Sequence, residues 1–199
     1  MKLYDCDYYR RWYHDPGTRI LLRDSLERKV AVALAAAEFV LGRRVGTVLD
    51  VGCGEAPWRA VLRRMRPGLR YLGVDGSEYV VRRHGRRRGI RLARFGELAS
   101  LGLKGRFDLV VCSDVHHYVP ARELAPGIAT LGSLTGGLAW IEVFAAEDET
   151  VGDHVEYHER PAAAYQRLLR RAKLTPIGLY CFVPRDTRDS LTSFELGRV

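Results

Sequence analysis

Nowhere in the chain do apolar residues run long enough to span a bilayer, which takes about 20 in succession. The opening Met1-Lys2-Leu3-Tyr4-Asp5 lacks the apolar stretch of a secretory signal. Cysteine is scarce: Cys6, Cys53, Cys112 and Cys181 stand far apart and form no Cys-x-x-Cys pair. That spacing argues against a disulfide framework and a thiolate zinc site, so reduced thiols are expected. The expectation is a cytoplasmic protein with no membrane partner and no metal. No internal repeat or low-complexity tract breaks the chain. At 47% hydrophobic composition, 199 residues suffice for one core, so a single domain over 1–199 is expected.

Lysine is nearly absent too. Lys2, Lys29, Lys104 and Lys173 are the only lysines among 32 basic residues, so arginine carries the net charge of +8. A basic total invites a nucleic-acid reading. The arginines cluster at Arg43-Arg44, Arg63-Arg64 with Arg66, Arg82 to Arg88 and Arg170-Arg171. All of these fall at predicted helix C-termini or helix-to-strand connections, where helix dipoles stabilise cations. A nucleic-acid groove would surround a reaction mouth instead, so this partner is not favoured.

What the chain does have is Val48-Leu49-Asp50-Val51-Gly52-Cys53-Gly54-Glu55-Ala56-Pro57-Trp58. An apolar run ends in an acid, turns through two glycines and enters a helical pattern. Only a turn poor in side chains lets a strand bend so sharply into a helix behind a ligand. The amides of such a turn suit a negatively charged group. The nicotinamide-binding Gly-x-Gly-x-x-Gly pattern would need glycine at position 57, where this chain has proline.

Around this turn, periodicity predicts strands at 47–51, 71–75, 90–95, 107–112, 138–144, 177–183 and 191–196. Helices are predicted between the first five, over 19–41 before them, and from Pro161 to about Ala172. Alternation of strand and helix predicts an α/β fold with a parallel sheet covered on both faces. The last two strands share a connection without helical pattern, so they are expected to close as an antiparallel hairpin. Ligands collect beyond the carboxyl ends of such strands. Those ends carry Asp50 with Gly52 and Gly54, then Asp75-Gly76-Ser77, Gly96-Glu97-Leu98, Ser113-Asp114-Val115-His116-His117-Tyr118, and Glu142 with Phe144.

The segments V-L-D-V-G-C-G (48–54), Y-L-G-V-D-G-S (71–77), F-D-L-V-V-C-S-D-V-H-H-Y-V (107–119) and G-G-L-A-W-I-E-V-F (136–144) resemble successive motifs of class I S-adenosylmethionine-dependent methyltransferases. The resemblance covers roughly Val45 to the C-terminus. It implies a Rossmann-like seven-stranded sheet in the order 3-2-1-4-5-7-6, the seventh strand antiparallel, with helices on both faces. It implies residues 45–199 as this core and 1–44 as an N-terminal helical lid. It also implies S-adenosyl-L-methionine as cofactor. By position, Gly52 and Gly54 would admit its methionine part, Asp50 would orient its amino group, and Ser113 would line the methionyl side. Asp75, with Gly76 beside it, would hold the ribose hydroxyls; Glu97 would face the adenine amino group, with the Leu98 amide on the ring. The third glycine common in the family is Ala56 here.

An oxygen or nitrogen acceptor can require a base, and imidazole suits that work near neutral pH. His117 and then His116 are the candidates, a pocket wall being the other role open to them. Glu142 is placed to bind an acceptor's amine or hydroxyl, or to pair with an arginine. His154 and His158 have a helical i, i+4 spacing, but no thiolate or carboxylate set completes a metal site, so with Tyr157 they read as a loop or substrate lid. Tyr8, Tyr9, Trp12 and Tyr13 have the aromatic bodies and polar tips of a pocket cover, with Tyr13 touching substrate, though plain packing would use them equally. The resulting expectation is methyl transfer to an oxygen or nitrogen of a small molecule by a monomer or homodimer. The alternatives are an RNA or protein methyltransferase docking through the basic surface, and a non-catalytic cofactor binder.

Overall fold

The computed structural model describes residues 2–18, 23–150, 152–188 and 191–193. A short helix α1 (Cys6–Tyr9) runs into a π-helical turn over Arg10–His14, and α2 (Arg23–Leu41) leads to the sheet. The alternation follows as β1 (Thr47–Val51), α3 (Pro57–Met65), β2 (Arg70–Asp75), α4 (Glu78–Arg88) and β3 (Ile90–Leu92). After a 3-10 helix over Phe95–Leu101 come β4 (Phe107–Ser113), a 3-10 turn over His116–Tyr118, α5 (Ala121–Leu134) and β5 (Thr135–Glu142). The chain closes through α6 (Ala162–Arg171), β6 (Leu174–Gly178), β7 (Cys181–Pro184) and α7 (Arg185–Arg188).

The strands form one seven-stranded sheet in the order β3-β2-β1-β4-β5-β7-β6. Pairings are parallel from β3 to β5, and β7 lies antiparallel to both β5 and β6. The implied topology is therefore the observed one. From β1 the chain winds outward to β2 and β3, then returns to place β4 on the other side of β1. The crevice above β1 and β4 is thus the switch point at which α/β sheets hold ligands.

Strand periodicity of two sends neighbouring residues to opposite faces. Leu49, Val51, Val110, Cys112 and Ile141 pack with α5 and α6 through Leu124, Ile128, Leu131 and Leu169. Val48, Leu109, Val111, Leu138 and Trp140 pack with α2 and α3 through Val30, Leu34, Ala37, Trp58 and Leu62. So α2 belongs to a helical layer of the sheet, from which Lys29 reaches Glu142 at the carboxyl end of β5. No helix among the described residues is long and apolar enough to cross a membrane.

The C-terminal hairpin differs from expectation. The predicted single strand over 177–183 is two strands joined by Leu179-Tyr180, and the second of them is β7. Both turn residues have positive φ, 48° and 61°, the backbone of a tight hairpin turn that normally announces itself by glycine or asparagine. With bulky residues at both turn positions, the preceding Gly178 (φ 94°) is the one sign of the turn in the sequence. Of the strand predicted at Leu191–Leu196, residues 191–193 form a bend and turn, and 194–196 lie outside the described residues. The third strand is also shorter than predicted, because Phe95 starts a 3-10 helix that α5 covers.

That contact is tight at Gly127 of α5, where an added Cβ would lie 2.2 Å from the Phe95 ring and 2.7 Å from its carbonyl oxygen. Alanine normally stabilises a helix by about 1 kcal/mol over glycine. Gly127→Ala should instead destabilise the protein by about 2 kcal/mol or more through overpacking, as read by urea denaturation.

Candidate active site

The bend after β1 is built by three left-handed residues, Gly52 (φ 70°), Gly54 (φ 51°) and Ala56 (φ 60°). Pro57 then opens α3 at a position where its missing N–H costs nothing. Ala56 adopts the glycine-like conformation at a cost of about 1 kcal/mol, so its departure from the family's glycine leaves the turn's geometry intact. The turn is anchored across the sheet: the amides of Gly52 and Cys53 both donate to the Val74 carbonyl, at 2.8 and 3.1 Å.

Asp75 ends β2 directly beside the turn and is 8% exposed. One carboxylate oxygen accepts from the Gly54 amide at 2.7 Å and the other from the Ser77 amide at 2.8 Å. Each oxygen keeps a second lone-pair direction, so the acid is oriented by the backbone and still able to accept two more hydrogen bonds. Burial raises its pKa despite those amides. Gly76 follows, lying against the Ala93–Arg94 backbone.

Asp50 is 2% exposed and accepts from the Tyr71 hydroxyl at 2.6 Å. Burial pushes its carboxyl up to about 7, the Tyr71 bond opposing and the Asp75 charge reinforcing the shift. On the adenine side of the expected site, Glu97 is exposed and its carboxylate accepts from the Arg94 amide at 3.4 Å, capping the 3-10 helix. The Leu98 side chain is buried in the core.

Across the switch point, Ser113 donates its hydroxyl to Glu142, whose other oxygen takes Lys29 Nζ of α2 at 2.6 Å. Glu142 is therefore paired with a lysine rather than an arginine. Asp114, at φ 62°, brings its carboxylate to 3.1 Å from His117 Nε2.

His116 and His117 part company. The His116 ring packs edge-on against Phe95, 5.0 Å between centroids, and against Tyr165, and burial lowers its pKa to about 3. It belongs to the core, so the candidacy of His116 as a base has no support in this geometry. His117 stacks on Tyr157 at 4.7 Å and 22°, with Phe144 and Tyr118 beside it. A proton on Nε2 toward Asp114 leaves Nδ1 as the acceptor, a buried nitrogen without a hydrogen-bond partner among the described residues. A cavity of about 60 Å³ opens here, lined by His117, Asp114, Tyr118, Phe144, Asp153 and Tyr157 among others.

His154 and His158 do not share a helical face, because residues 152–161 form turns and loop with Glu156 at φ 54°. The His154 ring lies 5.5 Å from Tyr157, and the His158 amide donates to the His117 carbonyl at 2.7 Å. Among the described residues no three His, Cys, Asp or Glu side chains gather as metal ligands.

The N-terminal aromatics cross the crevice. The Tyr13 hydroxyl rests on Gly54 and the Val115 side chain on Gly52, so closely that a Cβ on either glycine would lie within 2.7 and 2.3 Å of them. Tyr9 packs with Cys53, Ala56, Val80 and Ile90 and stacks on Tyr79 at 5.8 Å. Ser77 donates to the Tyr4 carbonyl at 2.5 Å. Sequence reasoning missed Lys2, Lys29, Tyr71, Tyr118 and Asp153; their partners lie 21 or more residues away in sequence for all of these bonds.

Sheet order, the turn at the switch point and the buried acid ending β2 define the class: this is the fold of the class I S-adenosylmethionine-dependent methyltransferases. Consistent with that, residues 49–135 match the family model described as methyltransferase domain. Solved structures agree in fold. The sugar N-methyltransferase KedS8 from Streptoalloteichus sp ATCC 53650 superposes with TM-score 0.65 at 16% identity, covering 89% of this chain and 91% of that one. Magnesium protoporphyrin IX methyltransferase (ChlM) from Synechocystis PCC 6803, solved with bound SAM, gives 0.58 at 20%, covering 84% and 79%. The plantazolicin methyltransferase BamL, solved with a triazolic desmethylPZN analog and SAH, gives 0.61 at 13%; the match covers 75% of this chain and 63% of BamL.

Because Asp50 keeps its proton up to about pH 7 when folded, whereas an unfolded aspartate releases it near 4, the folded state binds more protons between those values. Stability should therefore be highest at the acid end of this window and fall as pH rises through about 7. Asp50→Asn should narrow the stability difference between about pH 5 and pH 8 in urea denaturation, since asparagine does not titrate.

Proposed function

We propose that this protein transfers a methyl group from S-adenosylmethionine to an oxygen or nitrogen of a small-molecule acceptor. The observation that carries the proposal is the Asp75 carboxylate, fixed beside the glycine turn by the Gly54 and Ser77 amides with lone pairs to spare. A vicinal diol of a ribose is the group such an acid accepts from best. The turn supports the same reading: at Gly52 (φ 70°) and Gly54 (φ 51°) it puts no side chain of its own over the crevice, and what rests on it are the Val115 and Tyr13 side chains, of which Tyr13 belongs to the cover. The residues therefore fit the cofactor. Asp75 and Gly76 would hold its sugar, Glu97 and Leu98 its adenine side, and Gly52, Gly54, Asp50 and Ser113 its methionine part. When bound, it would supply an electrophilic methyl on a sulfonium.

The chain's own residues account for the rest. His117, oriented by Asp114 with Nδ1 free to accept, is assigned the proton of the acceptor nucleophile. Tyr157, Phe144 and Tyr118 wall the imidazole and keep water from it, while His154, His158 and Glu142 border the acceptor side. Residues 2–18 serve as the cover of the crevice, with Tyr13 at its centre. The KedS8 and ChlM matches support a small acceptor, since those proteins methylate a sugar and a magnesium protoporphyrin by name. The arginines ending α3 and α6 support it as well, lying at helix C-termini on the edge of the sheet away from the crevice, whereas Arg88 of α4 reaches the Glu55 carbonyl of the glycine turn.

Asp75→Ala should weaken S-adenosylhomocysteine binding by at least about tenfold, since hydrogen bonds to a charged group are lost. Calorimetry on protein shown to be folded by its melting curve checks this; unchanged affinity removes Asp75 from the site. His117→Ala should slow single-turnover methyl transfer by about 100-fold or more, within the range of general-base catalysis, and leave cofactor affinity nearly unchanged. Full single-turnover activity in that variant rejects the base assignment.

A further inference from the structure

Lys2 is buried in an unusual place for a lysine. Its side chain is 4% exposed, and its ammonium lies 3.5 Å from the Tyr118 ring centroid, 5.1 Å from Tyr4 and 5.2 Å from Tyr8. A single carboxylate, Asp153, stands 2.7 Å away with 9% of its side chain exposed. The pieces come from three separate parts of the chain. The rings hold one another, with Tyr4 edge-on to Tyr8 at 4.9 Å and the Tyr118 hydroxyl donating to the Asp153 carbonyl at 2.7 Å.

For a primary ammonium this is a poor match. Lysine carries three N–H donors, and no acceptor besides Asp153 reaches them among the described residues. Burial accordingly lowers the Lys2 pKa even with Asp153 beside it. Three π faces and one carboxylate suit instead a cation that wants no hydrogen bonds, one whose nitrogen bears methyl groups.

On the loop side the surroundings favour a cation too, while Arg11 lines the facing side of the groove together with Asp5 and Asp7. Against a chain charge of +8, residues 147–156 hold Glu147, Asp148, Glu149, Asp153 and Glu156 with no lysine or arginine. Asp153 lines both the small cavity beside His117 and an open groove between this loop and residues 2–12. The cage therefore adjoins the acceptor side of the site, and solvent reaches it through the groove.

We propose that Tyr4, Tyr8, Tyr118 and Asp153 form a receptor for a methylated organic ammonium group carried by the acceptor, and that Lys2 is its internal occupant in the acceptor's absence. As a statement about the acceptor this rests on the methyl-transfer reading above; as a binding site the cage does not. Choline and 3,3-dimethylbutan-1-ol have the same shape and differ only in charge, so they serve as probes. Calorimetry should show Lys2→Ala protein binding choline about tenfold more tightly than the unaltered protein does, and about tenfold more tightly than it binds the neutral alcohol. Adding Tyr118→Leu to Lys2→Ala should erase the charge preference, and Asp153→Asn in its place should do the same. Equal affinity for the two probes, or a preference that survives both second changes, overturns the cage. S-adenosylhomocysteine titrated into the same proteins separates the two proposals. Binding of it without a charge preference overturns the cage alone, whereas a charge preference without such binding overturns the methyl-transfer reading and upholds the cage.

Discussion

The Gly54 amide on the Asp75 carboxylate, at 2.7 Å, is the contact on which the candidate site depends. It joins the loop after β1 to the end of β2, two neighbouring strands whose pairing runs Thr47–Val51 against Arg70–Val74. A charged acceptor on a backbone donor in a buried place is among the stronger hydrogen bonds a protein makes. Here it does two things at once. It holds the bend in the left-handed conformation that keeps side chains away from the crevice, and it aims the acid along the crevice rather than into the core. The Ser77 amide completes the clamp from the other side, and the Ser77 hydroxyl also starts α4 by accepting from Val80. A substitution at any of these positions therefore disturbs the strand pairing and the ligand cradle together.

Much of this was legible in the sequence because it is local. The strand, bend and helix from Val48 to Trp58 lie within eleven consecutive residues, and the acids ending the strands follow from strand periodicity. Sheet order became legible only through the family resemblance, since periodicity does not say which strands pair. What stayed hidden depends on side chains meeting from distant parts of the chain. Lys29 finds Glu142 across 113 residues, and Lys2 finds Asp153. The difference between His116 and His117 was hidden for another reason. The two are adjacent, and a 3-10 turn points one ring into the core beside Phe95 and the other toward Tyr157. No composition or spacing separates them. The hairpin turn at Leu179-Tyr180 was missed because its residues are ones that seldom adopt positive φ.

Charge is partitioned across the molecule rather than spread over it. The last turns of α3, α4 and α6 carry arginine, as helix dipoles favour, and topology places those of α3 and α6 at the amino ends of the strands, while Arg88 of α4 bonds the Glu55 carbonyl beside the glycine turn. Several of these and neighbouring arginines are tied down locally: Arg66 grips Glu38 through two bonds, Arg64 pairs with Glu27 and Arg43 with Asp108. At the opposite edge, the loop that follows β5 is acidic. A net positive charge is thus compatible with an acidic loop at the crevice, because ionic screening over about 8–10 Å separates its field from that of the arginines ending α3 and α6.

The segment over residues 2–18 ties the two halves of the crevice to each other. Tyr13 lies on the glycine turn, the Tyr4 carbonyl accepts from Ser77 next to Asp75, and Lys2 reaches Asp153 on the acidic loop. Tyr4, Tyr8, Tyr9 and Tyr13 contact one another in series at 4.9 to 5.3 Å, so the rings between those anchors are packed as one unit. Displacing one end of such a row strains the other, and close-packed rings shift between discrete arrangements rather than deforming smoothly. Anything that enters over Gly54 must move Tyr13, and through the row it bears on Tyr8, Tyr4 and the Lys2 cage. Cofactor and acceptor would then be linked through a shared cover, each favouring the arrangement that admits the other, and by linkage the effect on affinity would be equal in both directions.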